Sequence, residues 1–192
     1  VRITPDTQLD QPQVAALQHS ISARGLLPPP SLALPALMEI ADEVSALLTT
    51  AEKVGVRRPA PHAHPIDLRL SEDTHIVGSV GNCLDGDRPG PVRILYSRPK
   101  PKHQIRLALD LLVLTATDPT QHWRGVLITR PESGAKTTVE QRSWSVRGAT
   151  AKDRQTEALG ALKELLEQYR DGLLYPLPLF QQTSYAFFKN LK

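Results

Sequence analysis

Apolar residues recur at helical spacing between Ser31 and about Val54, where Leu37, Ile40, Ala41, Val44, Leu47 and Leu48 share one face, and Ser31 or Pro35 stands near the start. The period then changes. "RRPAPHAHP" interrupts the chain with prolines, and "IDLRL" alternates Ile66, Leu68 and Leu70 toward one side as a strand does. "HIVGSVGNCL" and "PVRILYSR" continue as a second and third strand, joined through Asp85-Gly86-Asp87 and Pro89-Gly90. "HQIRLALDLLVLTA" is apolar on nearly every side, which predicts a buried helix too short to cross a bilayer. "WRGVLITRP" reads as a buried strand, with "TTVEQRSWSVRG" pairing beside it. Thr150 and Asp153 have capping-box spacing ahead of a helix whose Ala158, Leu159, Leu162, Leu165, Leu166 and Tyr169 form one stripe, with Gly172 as its predicted stop.

The order helix, three strands, helix, strand, strand, helix predicts an α/β (α+β) fold in which a mixed sheet is flanked by helices. Residues 1–30 are rich in Pro and Gln and end in "GLLPPP", so they are expected to be an extended lead-in or linker ahead of a domain over 31–192. No internal repeat is visible.

Composition narrows the class. The 192 residues, 40% hydrophobic and 22% charged, suit one ordinary globular domain. The chain begins at Val1 and shows neither a charged-then-apolar leader nor a long apolar run, so the expectation is a piece of a longer, non-membrane protein. Cys83 is the only cysteine, which excludes an internal disulfide and suits a reducing compartment, here the cytoplasm. The net charge of +3 is unevenly spread: six Lys or Arg and no carboxylate lie between Arg88 and Arg106. Such a run is either a solvated face or the footprint of a polyanion.

This element order resembles the core of the PD-(D/E)XK nucleases, in particular the nuclease domain that ends the RecB helicase chain. The resemblance implies an Asp on the second strand and an acid-x-Lys on the third. Carboxylates from adjacent strands there converge on Mg²⁺, while the Lys positions or deprotonates the attacking water. Here the second strand carries Gly78-Ser79-Val80-Gly81, so Gly81 stands where the Asp is expected. On the third strand Leu95 replaces the acid and Ser97 the Lys. The frame therefore resembles a nuclease core that lacks its catalytic residues.

A family with this disarmed frame is the C-terminal domain of RecC, the gamma subunit of exodeoxyribonuclease V. The stretches "GLLPPPSLALPAL", "IDLRL", "IVGSV", "VRILYSRPKPKHQIRLALDLLVLTA", "RGVLITR" and "LLEQYRDGLLYPLPLFQQTSYAFF" are similar to that family. The last is the most specific, because its Pro-Leu-Pro-hydrophobic and Thr-Ser pattern has little to do with stopping a helix. The resemblance implies a non-catalytic DNA-handling and scaffold domain of the bacterial RecBCD helicase and nuclease, acting in double-strand-break repair and homologous recombination. It also implies DNA and RecB-like and RecD-like subunits as partners, no membrane and no cofactor. Holoenzyme activities would lie in the partner chains.

Within that frame, "SRPKPKHQIR" is the candidate DNA contact, through Arg98, Lys100, Lys102, His103 and Arg106. Pro99 and Pro101 keep the chain extended up to the helix start, so the cations gather where they oppose the helix dipole, at about 0.3 to 1 kcal/mol each when exposed. A phosphate relieves that cost; so does water, or an acidic patch on a partner. The tail from Leu173 to Phe188 is strongly apolar, and Tyr175, Phe180, Tyr185 and Phe187 are its candidate subunit contacts, whether it folds back or docks.

Other chemistry is weaker. Asp85 and Asp87 flank Gly86 and suit a turn better than a cation. His62 and His64 have ligand-like spacing without a second cluster, and Cys83 as a nucleophile has no legible base. Trp123 and Trp144 can stack on bases or anchor a core. Two alternatives stay open: an active Mg²⁺-dependent nuclease whose ligands have moved to Asp67, Glu72, Asp73 or Asp85, and a pure protein-docking module.

Overall fold

A computed structural model of the chain describes residues 11–25, 30–56, 62–132, 139–176 and 184. Its elements run α1 (Gln11–Ser22), α2 (Pro30–Lys53), β1 (His62–Arg69), β2 (His75–Leu84), β3 (Gly90–Leu95), α3 (Pro101–Thr117), β4 (Gly125–Thr129), β5 (Glu140–Trp144) and α4 (Ala151–Leu174). The strands form one mixed sheet in the order β1-β2-β3-β4-β5, so the expected α/β class and the pairing of the last two strands hold.

The chain divides into two compact units. The first comprises residues 1–57, 94–98 and 128–140. In it α1 packs beside α2, and Ala33, Leu37, Leu47 and Ala51 of α2 are buried. Over Gln11–Ser22 the structure has a helix where an extended lead-in was expected: from Gln13 to Arg24 neither proline nor glycine interrupts the chain, and Gly25, at φ 66°, follows the helix end.

The second unit comprises residues 58–93, 99–127 and 141–192. Its core joins Ile66, Leu68 and Leu70 of β1 and its end to Val80 and Cys83 of β2, Leu111 and Leu114 of α3, Trp123, and Ala158 and Leu162 of α4. The period-2 alternation in "IDLRL" is therefore a true inward face. Leu107 and Leu114 are each 1% exposed, and truncating such a side chain to Ala costs about 2 to 5 kcal/mol.

Four local differences from the sequence pattern have physical reasons. β1 starts at His62, inside the proline-rich connector; it is an edge strand, where a proline such as Pro65 is tolerated. The helix α3 is one-sided rather than apolar all round, with Ile105 50% and Leu109 37% exposed. Gly172 does not stop α4, which runs on to Leu174 and closes with the Tyr175 amide donating to the Asp171 carbonyl at 2.8 Å. Finally, β2 departs from simple alternation at a bulge.

In that bulge His62 pairs with Cys83 and His64 with Val80, so one residue of β1 faces two of β2, Gly81 and Asn82. Asn82 takes φ 56°, a left-handed conformation that Asn tolerates better than most residues. The extra residue lets Val80 and Cys83 both point inward while Gly81 and Asn82 stay exposed.

Candidate nucleic-acid interface

The N-terminus of α3 is built by two prolines. Pro101 occupies the first turn, where its absent N–H is no loss, and Lys100 is the N-cap in an extended conformation (φ −119°, ψ 149°). Lys100 offers no side-chain acceptor, and the first turn holds no acid. The His103 amide turns back on the Lys100 carbonyl at 3.0 Å, and the charged side chains of this first turn are cations.

Lys100, Lys102 and Arg106 are exposed, and His103 is half-buried. Burial, followed by the charges of Lys102, Lys100 and Arg93, holds the His103 imidazole below its ordinary pKa. Burial is the larger cause and the cations add to it, and the buried Nδ1 of His103 has no hydrogen-bond partner among the described residues. Arg93 is drawn to Asp110 of α3 at 2.5 Å, leaving the other cations uncompensated by that carboxylate. Arg98 is exposed at the end of the 94–98 segment, which belongs to the first unit.

The positions where a nuclease needs its ligands are occupied otherwise. Gly81 is exposed in the β2 bulge, and a Cβ added there meets nothing within 4 Å. Packing therefore does not enforce the missing acid. Leu95 ends β3 half-buried. The Ser97 carbonyl accepts from the Arg130 amide at 3.0 Å, while its hydroxyl is buried with no partner among the described residues.

The other candidate ligands are dispersed. Asp67 lies on the exposed face of β1 and bonds to His75 at 2.5 Å. Asp85 pairs with His62 at 3.3 Å, and Glu72 and Asp73 are exposed in the β1–β2 turn. Among the described residues no three His, Cys, Asp or Glu side chains come together in a metal-binding group. His64 packs edge-on against Trp123, with ring centroids 5.0 Å apart. Trp123 is core, its indole N–H donating to the Asp118 carbonyl at 2.7 Å, whereas Trp144 is 37% exposed on β5. Cys83 is fully buried; burial first, then Asp110 and Asp85, pushes its thiol up to about 11, away from nucleophile chemistry.

Two groupings escape linear reading. In the first unit, Arg130 bonds to Glu43 at 2.7 Å and lies 4.9 Å over the Tyr96 ring, whose hydroxyl donates to the same carboxylate. In the second, Arg88, Arg124, Arg147 and Arg154 line one cleft. Their only sequence signal is arginine placed at the ends of elements.

At its far end, α4 leaves its stripe uncovered: Tyr169 is 64%, Leu173 68% and Leu174 74% exposed. Tyr175, one of the expected interface residues, is also exposed, while Phe180, Tyr185 and Phe187 lie outside the described residues. No helix among the described residues is long and apolar enough to cross a membrane.

These features define an α/β domain of nuclease-like architecture, with a basic helix start and without the acids of a nuclease centre at the expected positions. The profile of the RecC C-terminal domain matches residues 5–192, and the chain belongs to that family. It is similar to the RecBCD enzyme subunit RecC of Mycolicibacterium smegmatis, 32% identical over 173 residues, which is 90% of this chain and 15% of that protein. The subunit of the same name from Mycobacterium tuberculosis is 28% identical over 169 residues, 88% of this chain and 14% of that one. The chain thus spans about one-seventh of the length of these curated relatives.

Proposed function

We propose that the chain is a non-catalytic DNA-handling and subunit-docking domain of a cytoplasmic RecBCD-type complex, serving double-strand-break repair and homologous recombination. Helicase and nuclease activities then belong to RecB-like and RecD-like partner chains. The observation that carries the DNA role is the acid-free start of α3, where Lys100, Lys102 and the depressed His103 converge on an uncapped helix end. Gly81, Leu95 and Ser97 support the absence of catalysis, and the dispersal of Asp67, Glu72, Asp73 and Asp85 speaks against relocated Mg²⁺ ligands. The exposed Tyr169, Leu173, Leu174 and Tyr175 support docking, since an apolar helix end of this kind suits a subunit contact.

The test is Arg98→Ala/Lys100→Ala/Lys102→Ala in the reconstituted complex, with duplex affinity measured at several salt concentrations. Loss of three phosphate contacts makes the slope of log affinity against log salt shallower by up to about 2.7. An unchanged slope with intact assembly assigns these side chains to solvent and removes the basis for the DNA role.

A further inference from the structure

The chain leaves β3 at Leu95 and reaches Arg98 through Tyr96 and Ser97, which belong to neither strand nor helix. Connections of that kind are ordinarily mobile. Here the segment is held three times. The Ser97 carbonyl accepts from the Arg130 amide at 3.0 Å, one residue past the end of β4. The Arg130 guanidinium lies 4.9 Å over the Tyr96 ring. The Tyr96 hydroxyl donates to one oxygen of the Glu43 carboxylate, whose other oxygen accepts from the Arg130 guanidinium at 2.7 Å. Glu43, Tyr96, Ser97, Arg98 and Arg130 all belong to the first unit.

An exposed Arg–Glu pair by itself contributes little to stability. This one is partly covered, with the Glu43 side chain 22% and the Arg130 side chain 38% exposed, and its consequence is geometric. A single carboxylate of α2 fixes both the ring of Tyr96 and the guanidinium stacked on it. Burial first, and the hydrogen bond to Glu43 second, pushes the Tyr96 phenol above its ordinary pKa, so it remains a neutral donor. Downstream, Arg98 precedes Pro99, which favours extended backbone at Arg98. The Arg98 backbone is thus held on one side by Ser97 and restricted on the other by Pro99, while its side chain is exposed.

We propose that Glu43, Tyr96 and Arg130 are positioning residues that set Arg98 for a DNA phosphate. Ordering a backbone at the moment of binding costs conformational entropy, and a backbone fixed beforehand avoids that cost. Charge alone makes Glu43 unfavourable to a polyanion at Arg98, whereas its hold on Tyr96 and Arg130 makes it favourable. The two roles therefore predict opposite signs when the carboxylate is removed. This assignment rests on the DNA-handling role proposed above and names the residues that act through Arg98.

The experiment measures duplex affinity at several salt concentrations in the reconstituted complex, for Glu43→Ala and Arg98→Ala singly and together. Glu43→Ala should weaken binding about threefold or more. It should also make the slope of log affinity against log salt shallower by up to about 0.9, the contribution of one duplex phosphate. In the Arg98→Ala background it should change neither quantity, since a residue acting through Arg98 has nothing left to set. Glu43→Gln, which keeps one acceptor, should shift binding in the same direction by less. Parental or tighter binding by both Glu43 variants overturns the assignment, because a purely electrostatic or purely structural Glu43 gives that result. An equal loss with and without Arg98 overturns it too, and places the effect elsewhere in the fold. The Arg98→Ala/Lys100→Ala/Lys102→Ala variant is measured in parallel: if its slope is shallower while the Glu43 variants bind as the parent does, the positioning role fails and the DNA role stands; if its slope is unchanged, both fail.

Discussion

The two long helices of the second unit begin in opposite ways. At the start of α4, the Thr150 hydroxyl accepts from the Asp153 amide at 3.1 Å, while the Asp153 carboxylate accepts from the Thr150 amide at 2.9 Å. That carboxylate is held below its ordinary pKa by the Thr150 amide first and its hydroxyl second. At the start of α3 there is no side-chain cap and no acid, and the nearest titrating group, His103, is shifted by burial and by cations. One helix end is satisfied by its own chain; the other has no side-chain cap, and under the proposed DNA role it is the end that takes an anion from outside. Local stability is optimised at the first and forgone at the second, a difference that the proposed binding role would explain.

The comparison breaks most readily at Gly148. A side chain there meets the Arg154 amide at 2.5 Å from a backbone angle that favours glycine, so Gly148→Ala should cost roughly 2 to 3 kcal/mol, read as a lower urea midpoint at unchanged slope. If stability does not change, the start of α4 is not the fixed point described. Removing the cap itself is milder: Thr150→Ala should cost about 1 kcal/mol. Asp153 adds a pH signature. Its folded pKa lies below the unfolded one, so its contribution is present above about pH 4 and is lost as acidification carries the pH down through the folded value. Melting curves of Asp153→Ala and the parent chain should therefore converge at low pH.

Supplying α3 with the acid it lacks should invert the comparison. Lys102→Glu is expected to stabilise by about 0.3 to 1 kcal/mol through the helix dipole while weakening DNA binding. A variant that is both more stable and an equally good binder would separate the helix start from DNA contact. The smallest effect concerns His103. Its folded pKa is depressed, so the unfolded chain binds more protons and stability declines as pH falls below about 6.5. His103→Gln should flatten that decline between about pH 7 and pH 5.5. Bound phosphate should reverse the sign by favouring the imidazolium, so that binding by the parent chain, and not by His103→Gln, tightens over the same interval.

Legibility differs among the elements for physical reasons. Where the hydrophobic period is unbroken and one face is buried, as in Ile66-Leu68-Leu70 or the run before Leu114, pattern and structure agree. At β2 the pattern fails because a bulge at Gly81-Asn82 adds a residue, which alternation cannot anticipate. The proline rule misplaces the start of β1 because β1 is an edge strand, and edge status depends on the neighbouring strands. Gly172 fails as a stop because a glycine ends a helix only when the following chain turns away, and here the Tyr175 amide still reaches the Asp171 carbonyl.

The basic stretch from Arg98 to Arg106 was legible because its charges are neighbours in the chain and two prolines fix where the helix begins. The cleft was not, since Arg88, Arg124, Arg147 and Arg154 belong to separate segments and each alone is an ordinary surface cation. By itself the sequence determined the class of fold, the capping box at Thr150 and Asp153 and the bare start of α3, all properties of local chemistry or periodicity, while the resemblance to a nuclease core singled out Gly81 and Leu95 in place of acids and Ser97 in place of the lysine. Only the tertiary structure decided which arginines share a cavity, that Arg154 among them is buried, and that α4 leaves its last turns exposed. Burial and the meeting of distant charges depend on how elements pack, and no short-range pattern encodes that.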